Sequence, residues 1–275
     1  MKKQKSEKKI IEDFGKEWVH FDQTLISNFD KKKIFDDYFN IFPKKILNKQ
    51  SIGFDAGCGT GRWSYFVAPL VKQMHCIDPS NSINIAKKNL KKFNNCKFYK
   101  QTILKMELAN NSMDFGFSLG VLHHTIDVQS NLNNCVDKLK ENSPFLLYLY
   151  YKFENKPIIY KICWKISDIF RKIISRLPFT LKVIICNIIA ILIYFPLANL
   201  CKFMKKLNLK ISSIPLYYYH DKPFYVMKND SLDRFGTTLE KRFSQKEIRE
   251  MMVKAGLKNI KFSKNEPYWV AVGYK

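Results

Sequence analysis

Ser51-Ile52-Gly53-Phe54-Asp55-Ala56-Gly57-Cys58-Gly59-Thr60-Gly61-Arg62-Trp63 is the stretch whose reading decides the fold of this chain. A short apolar run ends in an acid, three glycines follow at G-x-G-x-G spacing, and helical spacing then continues to Leu70. That order is strand, glycine loop, helix. A parallel sheet offers ligands the carboxyl ends of its strands, and glycines there let backbone come close to a bound molecule. A dinucleotide fingerprint would need a third glycine at position 62, where Arg62 stands, and no triphosphate loop ending Gly-Lys-Ser or Gly-Lys-Thr is found.

Outward from this stretch the same alternation repeats. Strands are predicted over Lys72 to Asp78, Lys97 to Ile103, Met113 to Leu119 and Phe145 to Tyr151, with helices over Ser82 to Phe93 and Gln129 to Leu139. Alternation resumes at Ser244-Gln245-Lys246-Glu247, a capping box opening a helix that ends at Gly256. Two strands follow, Leu257 to Ser263 and Tyr268 to Tyr274. The expected fold is α/β: a Rossmann-like, doubly wound, mostly parallel seven-stranded sheet with N-terminal helices and an α-helical lid insertion. The segments are 1–47 (helical), 48–152 (core), 153–243 (insertion) and 244–275 (helix and strand pair completing the core). Residues 1 to 9 read as a mobile start, and helical spacing of Phe14, Trp18, Phe21, Leu25, Phe35 and Phe39 predicts two or three helices before Pro43.

The chain has 275 residues, 46% hydrophobic and 15% aromatic, which is enough apolar material for a core and excludes general disorder. Its 47 basic and 24 acidic residues give a net charge of +23, but the lysines are scattered, as on a solvated surface. The seven cysteines form no C-x-x-C pair, and no leader is read in the first nine residues. Reduced thiols and a cytoplasmic location are expected.

Three motifs in order carry a resemblance: Phe54-Asp55-Ala56-Gly57-Cys58-Gly59-Thr60-Gly61-Arg62-Trp63; Cys76-Ile77-Asp78-Pro79-Ser80; and Asn111-Ser112-Met113-Asp114-Phe115-Gly116-Phe117-Ser118-Leu119-Gly120-Val121-Leu122-His123-His124. The chain resembles the class I S-adenosylmethionine-dependent methyltransferases, in their methyltransferase type 11-like small-molecule subgroup. The resemblance implies S-adenosyl-L-methionine as cofactor. It implies that Asp55, Ala56, Gly57, Cys58, Gly59, Gly61 and Arg62 pack against the methionine part of the cofactor, with Asp55 near the amino group. Asp78, followed by Pro79, would take both ribose hydroxyls. Thr102 and Ile103 stand where the family has an adenine-binding acid, and Leu119 with Gly120 would line the sulfonium site. His123 and His124 are general-base candidates, and their alternative is a purely structural pair.

The later part of the insertion mixes tyrosines with His220 and Arg234, which an acceptor site could use; the alternative for Arg234 and Arg242 is ion pairing with Asp233 or Glu240. Earlier, Ile159, Ile162, Ile166, Ile169, Phe170, Ile173 and Leu177 share one helical face opposite a basic one, and Val183 to Cys201 carries no charge. Asn187, Pro196 and Asn199 interrupt that run, and a helix hairpin is expected rather than a membrane span. The segment 157–203 is a candidate for peripheral membrane contact. The reading is a methyltransferase with a small-molecule acceptor, lipid-like or a glycan precursor, without a metal; nucleic acid is not expected as a partner. The alternatives are an RNA methyltransferase, disfavoured by Gly120-Val121-Leu122-His123 where base-amine enzymes carry Asn or Asp before Pro-Pro, and a non-catalytic basic protein of the same fold binding RNA or anionic membrane.

Overall fold

The computed structural model describes residues 2–275. By contact density the chain forms two units: residues 1–23, 31–152 and 239–275 make the first, and 24–30 with 153–238 make the second. The insertion therefore reaches only to Thr238, and the segment from Leu239 packs with the core.

The first unit is a seven-stranded sheet of β1 (Ile52–Ala56), β2 (Gln73–Ile77), β3 (Cys96–Tyr99), β4 (Phe115–Leu119), β5 (Pro144–Tyr148), β6 (Lys258–Phe262) and β7 (Val270–Tyr274). Their order is β3-β2-β1-β4-β5-β7-β6, and β7 alone runs antiparallel to both of its neighbours. The chain order reverses between β1 and β4, the place where open parallel sheets bind ligands. The expected doubly wound sheet is thus the observed one, with strand ends shifted or trimmed by a few residues. The third strand, expected to run to Ile103, ends at Tyr99, and Ile103 instead opens a 3-10 turn over Ile103–Lys105.

The centre of the sheet depends on a reciprocal fit. Gly53 pairs with Phe115 and Phe54 with Gly116 across β1 and β4. A Cβ on Gly53 would lie 2.2 Å from the Phe115 ring, and one on Gly116 would lie 2.4 Å from the Phe54 ring. Each phenyl ring covers the neighbouring strand's glycine, one on each face of the sheet, and both phenylalanines are wholly buried. Each contributes about 2–3 kcal/mol by burial.

Helices cover both faces. They are α1 (Lys2–His20), α2 (Asn28–Tyr38), α3 (Ser64–Val67), α4 (Ser82–Asn89), α5 (Val128–Lys138) and, beyond the insertion, the helix Gln245–Lys254. Residue 1 of the expected mobile start lies outside the described residues, while Lys2 to Lys9 belong to α1. In the last helix the capping box is complete: Ser244 Oγ accepts the Glu247 amide and Glu247 accepts the Ser244 amide. Gly256 follows with φ +94°, a left-handed helix stop.

The second unit contains α6 (Ile158–Ile174), α7 (Phe179–Ile189), α8 (Phe195–Lys206) and α9 (Phe224–Gly236). Residues 190–194 join α7 to α8 as a π-helical segment, so 179–206 is one continuous helix and not the expected hairpin. Pro196 lacks an amide hydrogen and crowds the preceding turn, and the wider π turn just before it absorbs that defect without breaking the helix. The side turned inward carries Cys186, Ala190, Tyr194, Ala198 and Cys201, and Ser231 of α9 donates to the Cys186 carbonyl (2.9 Å).

Candidate active site

The site is built in the first unit, where β1, β2 and β4 end side by side. Gly57, Gly59 and Gly61 have φ of +86°, +53° and +77°, in the left-handed region that favours glycine. At Gly57 a Cβ would also come within 2.4 Å of Val121. The amides of Gly57 and Cys58 both donate to the Ile77 carbonyl (2.8 and 2.9 Å), lacing the loop to the end of β2. Ala56 and Cys58 are buried beneath it. The Arg62 guanidinium lies over Trp63 (4.2 Å) and within 5.3 Å of Trp18.

Asp55 is wholly buried. Its Oδ2 accepts from Ser64 Oγ (2.8 Å), and its Oδ1 has no hydrogen-bond partner among the described residues. Burial raises its pKa to about 7 against the opposing Ser64 bond, and the charge of Asp78 adds to the rise. A buried carboxylate oxygen without a partner is suited to a cationic donor.

Asp78 follows β2 and holds the loop from the other side. Its Oδ2 accepts the Gly59 amide (3.0 Å), and its Oδ1 accepts both the amide (2.9 Å) and the hydroxyl (2.6 Å) of Ser80. Two donors use both lone pairs of Oδ1, which leaves one acceptor position, on Oδ2. Half-buried Pro79 turns the chain there. Thr102 precedes the Ile103–Lys105 turn without capping it through its side chain. Ile103 is buried, and its carbonyl accepts from Asn134 (2.6 Å). Leu119, the last residue of β4, belongs to the core, and Gly120 next to it has φ +79°. A Cβ on Gly120 would meet nothing within 4 Å, so open space adjoins the end of β4.

The turn after β4 carries the histidines. His123 is fully buried, and neither ring nitrogen has a partner among the described residues. Its ring stacks on Tyr150 at 3.8 Å. Burial first, then the charges of His124 and Arg242, push its pKa well below the usual imidazole value. His124 Nδ1 lies 2.7 Å from the Leu239 carbonyl, so Nδ1 carries the proton and donates it. Arg242 donates to Glu240 (2.7 Å), the ion-pairing alternative for that residue.

His220 and Arg234 belong to the second unit. His220 Nδ1 donates to the Tyr217 carbonyl (2.7 Å), and Lys205 Nζ donates to its Nε2 (2.8 Å). Arg234 donates to Ser167 Oγ (3.0 Å), lies 3.6 Å from Asp168 and covers Trp164, so Asp168 is an acid beside it.

Sequence reasoning missed two contributors. One is Tyr150, just beyond β5. The other is the face of α1 carrying Phe14, Gly15 and Trp18: Phe14 meets the His124 ring at 4.7 Å, and a Cβ on Gly15 would be 3.2 Å from Ser80. A Cβ on Gly59 would be 3.7 Å from the Trp18 ring. Two aromatics four residues apart in a highly charged helix were the available signal.

Residues 54–147 match the profile of the family described as methyltransferase domain. The core is a class I S-adenosylmethionine-dependent methyltransferase. No curated protein matches the sequence. Among solved structures, the methyltransferase core resembles the candidate methyltransferase crystallised with the Trm112 methyltransferase activator of Haloferax volcanii (12% identity, TM-score 0.52, 96% of this chain and 97% of that one). It also resembles a candidate methyltransferase of Bacillus halodurans (12% identity, TM-score 0.50, 84% and 72%) and a candidate exported protein of Bordetella parapertussis (10% identity, TM-score 0.52, 90% and 68%). At such identities the likeness concerns the fold. S-adenosylmethionine supplies an electrophilic methyl group on a sulfonium when bound. The residues of the methyltransferase fit it: Asp55 Oδ1 awaits a cation such as the cofactor's ammonium, Asp78 Oδ2 retains an acceptor for a ribose hydroxyl, and Gly120 leaves room beside β4.

Proposed function

We propose that this methyltransferase transfers the methyl group to a hydroxyl of a small-molecule acceptor, lipid-like or a glycan precursor. The observation that carries this reading is His123. With neither ring nitrogen bonded among the described residues, the neutral imidazole has a nitrogen left to take a proton from a hydroxyl as the oxygen attacks; burial makes it a weak base, so the imidazolium gives that proton up again readily. Methyl transfer is otherwise a matter of positioning two reactants in line and excluding water. In this reading Asp55 holds the methionine ammonium of the cofactor and Asp78 its ribose, and Tyr150 backs His123. The seven free cysteines favour a reducing, cytoplasmic setting.

The test supplies cofactor carrying a labelled methyl group to purified protein with, in turn, the lipid, soluble small-molecule and RNA fractions of a bacterial extract. Label in an organic-extractable or small-molecule product that survives mild base, as an ether does, supports the proposal. Label confined to RNA, or to amines, overturns it.

A further inference from the structure

In the second unit α6 is turned inside out. The residues it buries are Arg171 and Ile174, and Arg171 donates to Asp168 (2.6 Å) and to the Thr237 carbonyl (3.0 Å). Its isoleucine face lies in the open: Ile158 is 73% exposed, Ile159 65%, Ile169 60% and Ile173 60%. The continuous helix 179–206 repeats the pattern. Its small residues point inward, while Ile184, Ile188, Ile191, Leu192, Ile193 and Phe203 are exposed, Leu192 to 68%. Exposed large aliphatics on this scale exceed what a soluble surface tolerates without a partner.

Charge says what the partner is. Residues 157–210 contain ten basic side chains and one acid, Asp168, which is engaged by Arg171 and Lys172; Arg171 and Lys182 are buried, and the other eight basic side chains are not. A second copy of the same face would bring two such charges together. An anionic surface would neutralise them.

Geometry says how the face is used. The helix 179–206 is about 42 Å long and apolar enough to cross a bilayer. It is the one such helix among the described residues. The chain leaves the sheet after β5 and returns to β7, which pairs with β5 from Pro144↔Tyr274 to Tyr148↔Val270, so both ends of the insertion stay on one side of any membrane. A single crossing would separate paired strands, so any membrane contact of this helix has to leave both of its ends on one side. At its carboxyl end a cavity of about 620 Å³ is lined by Lys202, Lys205, Lys206, Lys222 and His220. Asp30 and Asp221 also line it, leaving the lysines in excess.

We propose that the second unit docks in the plane of an anionic phospholipid bilayer, its isoleucine faces among the acyl chains and a headgroup phosphate in the basic cavity. Basic side chains beside an apolar helical face are the general recipe for such interfacial binding. The inference is independent of the acceptor proposed above.

The test is co-sedimentation of the full chain with phosphatidylcholine vesicles and with vesicles enriched in phosphatidylglycerol. Binding is expected with the second kind and at least about tenfold weaker with the first, and it should weaken with salt. The double variant Ile162→Asp and Ile169→Asp, and separately Lys202→Glu with Lys206→Glu, should each reduce binding at least about tenfold. These side chains are exposed, so circular dichroism and S-adenosylhomocysteine binding should match the parent. Failure to sediment with phosphatidylglycerol, or variants that sediment as the parent does, overturns the proposal. Equal binding to both vesicles overturns the headgroup assignment. A dimer by light scattering that the isoleucine variant dissolves would give the face to a second copy instead.

Discussion

The imidazole of His123 lies on the ring of Tyr150, centroids 3.8 Å apart and planes 28° from parallel, with no hydrogen bond to either nitrogen among the described residues. Two polar atoms are thus buried for no gain in stability, an arrangement that costs about 1–3 kcal/mol. His123→Phe keeps the stack and removes both atoms. The expected outcome is a melting temperature equal to or above the parent's, with methyl transfer slowed at least about a hundredfold. Full activity with raised stability would make the histidine structural. Because burial holds His123 neutral, turnover should show no histidine limb between about pH 6 and 8.

Asp55 should make cofactor binding and folding respond to pH in opposite directions. Its folded pKa is raised from 3.8 to about 7, so the folded chain holds a proton that the unfolded chain has lost, and stability declines as pH rises through that window. A bound ammonium favours the carboxylate, so affinity for S-adenosylhomocysteine should rise over the same range with release of a proton. Asp55→Asn should leave stability unchanged near pH 4 and raise it by about 1–4 kcal/mol at pH 8. The same change should weaken binding and abolish its pH dependence. Calorimetry in two buffers of different ionisation enthalpy reads the proton directly.

Asp78 has two tasks, and its variants should separate them. It accepts from Gly59 and twice from Ser80, so Asp78→Ala leaves those donors unpaired and should cost about 1–3 kcal/mol of stability as well as cofactor affinity. Ser80→Ala removes the hydroxyl's bond to Asp78 at 2.6 Å together with its bonds to the Ser82 hydroxyl (2.7 Å) and amide (3.2 Å), and should lower the melting temperature while the Ser80 amide still holds Asp78 and S-adenosylhomocysteine still binds. Denaturant melts beside binding isotherms test both. An Asp78→Ala protein that binds as tightly as the parent would remove this residue from the cofactor site.

The sheet was legible because its signals are local. The alternation of apolar runs, the glycine loop after Phe54 and the Ser244 to Glu247 box each act within a few residues, and each stands where its spacing puts it. The reciprocal cover of Gly53 by Phe115 and Gly116 by Phe54 was not legible, because it depends on register between strands far apart in sequence. The Asp55 and Asp78 positions followed from motif order. The stack of His123 on Tyr150 joins two strand ends and leaves no trace in either segment alone.

Periodicity also tells which residues share a face without telling what the face meets. In α6 it found the isoleucine stripe correctly, and the structure turns that stripe outward and buries Arg171. Pro196 and Asn187 suggested a break in the next helix. A π segment let the helix continue, because a local change of hydrogen-bond pattern costs less than losing a turn.

Trp18 provides the last prediction. From α1 its ring approaches the Gly59 loop, and it shares the Arg62 guanidinium with Trp63, while Phe14 on the same face meets His124. An aromatic in that position is expected to slow departure of a molecule held by the loop. Trp18→Ala removes this cover from a half-buried position outside the two core clusters. Dissociation of S-adenosylhomocysteine from immobilised protein should then quicken at least about tenfold, while association changes less. Trp18→Phe should restore most of the residence time. An unchanged dissociation rate in the alanine variant would make α1 a bystander to the site.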